Sequence, residues 1–263
     1  MLRHRFVQAI LFRSFILAVV FAWPAQPAHA QQILYDDFMA PLLDGTKWTG
    51  RQLNSGGGNA SSLEIERSIA NSRLLMRTRV VGREAGVAER SSETALLFRR
   101  PAGLDEISFQ VAVRDLQVAG CASGASSSAG ARGVYAFFND GEGDVIATIE
   151  VKRSSDWVPS NMLEVVATLV HRGVDGDVVL RSAPLGSALV GQRVKLRVKW
   201  HKATSEVRFQ KDQDPAASIA YTNAVIADAA GERKYLGVFG TAGGCSESSA
   251  AAAALFNNVR VNP

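Results

Sequence analysis

The sequence has few of the residues on which most catalytic and metal sites depend. Its 263 residues include two cysteines and four histidines. It contains no Cys-x-x-Cys pair for redox chemistry and no Gly-x-Ser-x-Gly elbow for a nucleophilic serine. Two cysteines without nearby histidines also make a poor zinc site. We therefore predict no catalytic residue, no metal centre and no cofactor.

Long apolar runs are rare as well, and the run at the amino terminus is too short to span a bilayer. The segment SFILAVVFAW follows three arginines, and the next segment, PAQPAHA, ends in small residues. This order predicts a secretory signal peptide over residues 1–30, cleaved after Ala30. A membrane anchor is the weaker interpretation, because no cysteine follows the run to carry a lipid. We expect an exported domain over residues 31–263, periplasmic or extracellular, with no membrane insertion after cleavage.

An excess of charge of one sign is missing once the signal peptide is removed. The whole chain has 29 basic and 25 acidic residues. The signal peptide holds three of the basic residues and none of the acidic ones, which leaves 26 against 25 and a net charge of +1. A nucleic-acid-binding domain typically shows a basic excess. The composition predicts no nucleic-acid partner.

Both cysteines lie in Gly/Ser-rich segments, Cys121 in VAGCASG and Cys245 in GGCSES. In an oxidising compartment, two loop cysteines of this kind are expected to pair. We therefore predict a disulfide between them, which requires α-carbons within about 7 Å of each other.

Strict alternation of apolar and polar residues runs through the rest of the chain. Segments such as DEISFQVAVRDL and RVKLRVKW have the two-residue period of a half-buried strand. Turn signals such as NSGGGN and KDQDP separate these segments. No amphipathic helix of three turns is evident, although Ala250–Ala254 could form one helical turn. About a dozen antiparallel strands predict an all-β fold, a two-sheet β-sandwich of the jelly-roll kind.

Three segments carry a resemblance to a known superfamily. The opening LYDDFMAPLLDGTKW, the hairpin VKLRVKWHKATSEVRFQKD and the closing LFNNVRV resemble the first strand, a late hairpin and the last strand of bacterial domains in the concanavalin A-like lectin and glucanase superfamily. Asn257 stands where an aspartate is more usual. The resemblance implies a concave sheet that often carries sugar ligands, and it implies no particular reaction.

The stretch NDGEGDVIATIEV holds acidic residues that could belong to a sugar-cleaving site. Laminarinase-type glucanases of this superfamily carry Glu, Asp and Glu at nearly alternate positions of one strand. Glu142 and Asp144 resemble the start of that set, but Ile146 and Thr148 follow on the same face and Glu150 comes too late. We interpret NDGEGD as a hairpin turn, because Asn-Asp-Gly and Gly-Asp favour left-handed backbone. A calcium loop is the other interpretation, although the glycine and glutamate of the helix-flanked type are missing.

Four cations with the same parity form the sharpest charge feature. This cationic row consists of Arg193, Lys195, Arg197 and Lys199. It could hold an anionic glycan or a lipid headgroup. The favoured interpretation is a solvated strand whose lysines resist edge pairing, because the net charge without the signal peptide is near zero.

The residue pattern of the strand after the NDGEGD turn predicts a ligand site. Its alternate apolar residues should be buried, so Thr148, Glu150 and Lys152 should point away from the core. Trp157 follows in a polar loop, and Tyr135 lies on the preceding strand. We predict that these five residues bind a saccharide on the concave sheet through hydrogen bonds and ring stacking.

Three classes of function are compatible with these patterns. The favoured one is an exported non-catalytic carbohydrate-binding or surface-recognition domain, with a glycan or cell-surface polysaccharide as its partner. The alternatives are a structural or interaction module without a glycan ligand and a glycoside hydrolase or polysaccharide lyase with an unrecognised site. ERSSETALLFRR resembles the Arg/Glu strand of lyases that act on acidic sugars, but neither His171 nor His201 lies in the Gln-x-His pattern of those enzymes.

Overall fold

Strands make up almost all of the regular structure in the part of the chain that the computed structural model describes. The described residues are 31–55, 63–83, 89–101, 103–137, 144–156, 161–173, 176–221 and 233–262. The predicted signal peptide, most of the NDGEGD turn and Trp157 lie outside them. Within these ranges, no helix is long and apolar enough to cross a membrane.

Within the described ranges, eight strands form the first sheet, sheet A. They are β1 (Ile33–Asp36), β3 (Leu63–Ile69), β4 (Leu74–Val81), β6 (Glu106–Ala119), β11 (Val194–His201), β12 (Glu206–Lys211), β13 (Ala217–Ala220) and β15 (Ser249–Val261). Their order is β13-β12-β11-β6-β15-β4-β3, and β1 pairs with the end of β15. A 3-10 turn, Lys202–Thr204, joins β11 to β12.

In the same part of the chain, seven strands form the second sheet, sheet B. They are β2 (Trp48–Ser55), β5 (Arg90–Phe98), β7 (Ser128–Phe137), β8 (Asp144–Ser154), β9 (Met162–Gly173), β10 (Gly176–Leu189) and β14 (Arg233–Ala242). Their order is β10-β9-β8-β7-β14-β5-β2, and neighbouring strands pair antiparallel. Two antiparallel sheets that share one hydrophobic core confirm the predicted all-β jelly roll.

Alternation decides which side of each strand enters that core. In β11, Val194, Leu196, Val198 and Trp200 are buried, while the residues between them are half-buried. β8 follows the same rule, because Val145, Ala147, Ile149 and Val151 lie in the core. Its polar residues therefore face outward, as the sequence predicts.

The alanine run lies inside a strand and not in a helical turn. Ala250–Ala254 belongs to β15, which pairs with β6 on one side and β4 on the other. Ala250, Ala252 and Ala254 are buried in the core. Pairing on both sides satisfies the backbone of this segment, which outweighs the helical preference of alanine.

The acidic and aromatic residues of the opening segment contact one another in the structure. The Asp36 carboxylate accepts hydrogen bonds from the Phe38 backbone N–H at 2.8 Å and from Trp48 Nε1 at 2.7 Å. Phe38 has a φ of +56°, and its ring stacks on Trp48 at 5.8 Å. These contacts therefore hold the end of β1 and the segment after it against Trp48 at the start of β2.

Crossovers between the sheets are fastened at both ends of the sandwich. At one end, a disulfide joins Cys121, in the β6–β7 crossover, to Cys245, in the β14–β15 crossover, with α-carbons 5.8 Å apart. This is the predicted pair. At the other end, the buried Lys234 donates to the Pro101 carbonyl oxygen in the β5–β6 crossover.

Candidate functional site

Tyr135 does not belong to the outward face on which the sequence analysis placed it. β7 pairs with β8 so that Tyr135 lies opposite Ala147, a core residue. The ring is 0% exposed, and the hydroxyl donates to the Leu104 carbonyl oxygen. The prediction that Tyr135 belongs to the ligand site was wrong. The register between β7 and β8 decides which face of the sheet Tyr135 occupies, and the sequence does not show that register.

Thr148, Glu150 and Lys152 do share the outward face of β8. Each alternates with a core residue, and Thr148 and Glu150 are each 8% exposed. Sheet A does not cover them. They are shielded by side chains from neighbouring strands of sheet B, such as Arg132, which lies opposite Glu150, and Thr168, which lies opposite Thr148.

A guanidinium connects Glu150 to a second carboxylate three strands away. Arg132 on β7 binds Glu93 on β5 through two contacts, Nε to Oε1 at 2.7 Å and Nη2 to Oε2 at 2.6 Å. Its Nη1 lies 3.4 Å from Glu150 Oε1. The two-contact geometry is the strong form of an arginine–carboxylate pair. Arg132 therefore occupies the space between the two carboxylates.

The ion pairs continue along β8 and onto β9. Lys152 Nζ lies 3.1 Å from Glu150 Oε2 and 3.9 Å from Glu164 Oε1. We call Glu93, Arg132, Glu150, Lys152 and Glu164 the outward network. It contains three carboxylates and two cations, so its formal charge is −1.

Two aromatic side chains of β14 border the outward network. The Phe239 ring lies 5.0 Å from the Arg132 guanidinium carbon, within the range of a cation–π contact. The Tyr235 hydroxyl lies 3.5 Å from Glu93 Oε2. Between them, Gly237 leaves room for Glu93, because a Cβ at this position would lie 2.3 Å from Glu93 Oε1.

Electrostatics keeps Arg132 charged and Tyr235 neutral. Burial alone would lower the pKa of the Arg132 guanidinium, but the negative charges around it, Glu93 first, raise that pKa well above its ordinary value. Burial raises the pKa of Tyr235 to about 12, and Glu93 and Glu150 add to this shift while Arg132 opposes it. At neutral pH the Tyr235 phenol is a hydrogen-bond donor and not a base.

This arrangement is poorly suited to glycoside hydrolysis by two carboxylates. A retaining site needs carboxylates about 5–5.5 Å apart, and an inverting site needs room for a water between them. Here Arg132 fills the space between Glu93 and Glu150, and the outward neighbours of Glu150 on β8 are Thr148 and Lys152. Among the described residues, no group of three His, Cys, Asp or Glu side chains could hold a metal ion.

Sequence reasoning missed Glu93, Arg132, Tyr235 and Phe239. Glu93 and Arg132 are 39 residues apart, and β14, which lies between their strands, comes more than 90 residues after β7. The ERSSETALLFRR segment was the one available signal, since it contains Glu93 on an outward position of β5.

Comparisons with known proteins establish the fold. No family model matches the chain, and no curated protein matches it significantly. Among solved structures, a β-1,3-glucanase from Mycobacterium marinum has a TM-score of 0.51 and 14% identity, covering 90% of this chain and 100% of that one. A Bacteroides ovatus mixed-linkage glucan GH16 protein, solved with its G4G4G3G product, has a TM-score of 0.50 and 11% identity, covering 86% of this chain and 98% of that one. The chain therefore has the concanavalin A-like jelly-roll fold, which confirms the resemblance seen in the sequence.

Proposed function

We propose that the protein is an exported, non-catalytic carbohydrate-binding domain and that its ligand lies on the outward face of sheet B. The observation that carries this proposal is the outward network, in which Arg132 binds both Glu93 and Glu150. Polar side chains held in place by such a network can hydrogen-bond to sugar hydroxyls without reorganising first. The predicted signal peptide and the Cys121–Cys245 disulfide support export.

The charge of this face favours a neutral saccharide over an acidic one. Both cations of the outward network already pair with carboxylates of the same network. A carboxylate on the ligand would therefore have to compete with Glu93 or Glu150 for Arg132. Hydroxyl groups have no such penalty, and Thr168 and Ser182, whose oxygens lie 3.0 Å apart, extend the polar surface toward β10.

Glycan-array binding by the purified protein, followed by calorimetry on the best neutral oligosaccharide, tests the proposal. Glu150→Gln should weaken binding roughly 10- to 150-fold, since a hydrogen bond to a charged group is worth about 1.5–3 kcal/mol. Glu66→Gln is the matched control, because Glu66 forms its 3.5 Å ion pair with Arg77 on sheet A. An array without any neutral glycan ligand, or equal weakening in both variants, would contradict the proposal.

Glycoside hydrolysis is the second candidate, because two carboxylates approach one point of the outward face. If a substrate displaced Arg132, Glu93 and Glu150 would be left to act as acid and base. This activity would release reducing ends from a polysaccharide, and the release would disappear in Glu150→Gln and Glu93→Gln. Binding without release of reducing ends supports the non-catalytic function instead.

A further inference from the structure

The outward face of sheet A carries a second concentration of charge, which the proposed function does not use. β11 directs Lys195, Arg197 and Lys199 to this face, and Arg193 precedes them with the same parity. At about 3.3 Å per residue, the cationic row is roughly 20 Å long. The row therefore offers a line of positive charge along one strand.

Neighbouring strands add cations to the row. β12 places Arg208 directly opposite Lys199, and β6 places Ser108 between Arg197 on β11 and Arg260 on β15. Like charges directly opposite each other on paired strands destabilise a sheet. The Lys199–Arg208 contact is therefore unfavourable in itself, although each partner also has a carboxylate, Glu106 for Lys199 at 3.4 Å and Glu206 for Arg208 at 2.6 Å.

Among the described residues, the carboxylates of Glu106 and Glu206 offset three of these cations, with Glu206 bound to Arg208. Glu106 on β6 is 1% exposed and pairs with both Arg197 and Lys199, the latter at 3.4 Å. One buried carboxylate thus serves two cations of the row.

The remaining cations are available to a ligand. Among the described residues, Arg193, Lys195 and Arg260 have no ion-pair partner, and Arg193 and Arg260 are exposed. The positive charge of the cations on this face also affects His201, at the end of β11. The pKa of His201 is lowered by burial first and then by the charges of Arg208 and Lys199.

We propose that the cationic row binds a linear anionic polysaccharide, one that carries carboxylate or sulfate groups. Charge complementarity selects the anion, and the shape of the row selects a chain. Uncharged polar residues such as Gln110 and Gln210 lie beside the row, where they can bind sugar hydroxyls. A membrane surface would need a wider cationic area, whereas Glu206 and Asp212 border the row on the β12 side.

Affinity measurements with four probes test this site. The probes are dextran, dextran sulfate, polygalacturonate and vesicles that contain phosphatidylglycerol. We expect the intact protein to bind dextran sulfate and polygalacturonate more tightly than dextran, with an affinity for the two anionic chains that falls as salt is added. Arg193→Gln with Lys195→Gln should weaken this binding roughly 2- to 30-fold, the range expected for losing two exposed ion pairs.

A matched double variant separates the site from the net charge of the protein. Arg99→Gln with Arg181→Gln removes the same charge from two exposed residues outside sheet A and should change the affinity by less than about twofold. The proposal is overturned if neither anionic polysaccharide binds, if both double variants weaken binding equally, or if the vesicles bind more tightly than the polysaccharides. Binding of a neutral glycan to sheet B would be unaffected by any of these outcomes.

Discussion

Replacing Arg132 by methionine should lower the free energy of unfolding by about 3 kcal/mol. Removing one partner of a buried ion pair costs roughly 3–5 kcal/mol, because the other charge stays buried without its partner. Here the Glu93 and Glu150 side chains are 6% and 10% exposed, and Lys152 would be the cation left beside Glu150. The lower end of the range applies because the Arg132 side chain keeps 24% exposure, so water already screens the pair in part.

Urea unfolding followed by circular dichroism measures this loss. Combining Glu93→Gln with Arg132→Met should recover about 1–2 kcal/mol, since the buried carboxylate that lost its partner is then neutral. Arg77→Met is the control, because Arg77 and Glu66 form a half-exposed pair at 3.5 Å and should contribute less than about 1 kcal/mol. A loss below about 1 kcal/mol in Arg132→Met, or no recovery in the double variant, would refute the reasoning.

Three further predictions concern stability. Replacing both cysteines by serine opens a loop with a sequence separation of 124 and should lower the free energy of unfolding by up to about 5 kcal/mol, as measured by urea unfolding without reductant. The lowered pKa of His201 makes the unfolded state bind a proton first as pH falls below about 6.5, so stability should decrease from pH 7 to pH 5, and less so in His201→Gln. Gly237→Ala should destabilise the fold by about 1–3 kcal/mol, because the new methyl group meets Glu93, whereas Gly45→Ala, with nothing within 4 Å, should be near neutral in the same thermal or urea assay.

The faces of single strands could be predicted from the sequence, because a two-residue period is a local property. Val194, Leu196 and Val198 enter the core and the cationic row stays outside, as the alternation in RVKLRVKW indicates. Thr148 and Glu150 face outward for the same reason. The alternation of apolar and polar residues along a strand therefore predicts most of the burial that can be predicted from this sequence.

The candidate site depends on register between distant strands, which no local pattern contains. Glu93 and Glu150 meet at Arg132 although β14 lies between β5 and β7, because Gly237 of β14 leaves room for the Glu93 side chain. Tyr135 was wrongly predicted to lie beside Glu150, because it is on the strand next to β8. The register between the two strands places it opposite Ala147 and therefore on the core face.

The two ends of the sandwich are fastened by different chemistry, and this difference should decide where the molecule opens. Native-state amide exchange near the Cys121–Cys245 disulfide requires local opening that the covalent bond restricts, whereas the Lys234 and Tyr135 contacts to the β5–β6 crossover can break and re-form. When the two sheets separate transiently, they should therefore stay together at the disulfide end and open at the other end. The β5–β6 crossover then becomes the place where exchange, proteolysis and the first steps of unfolding begin.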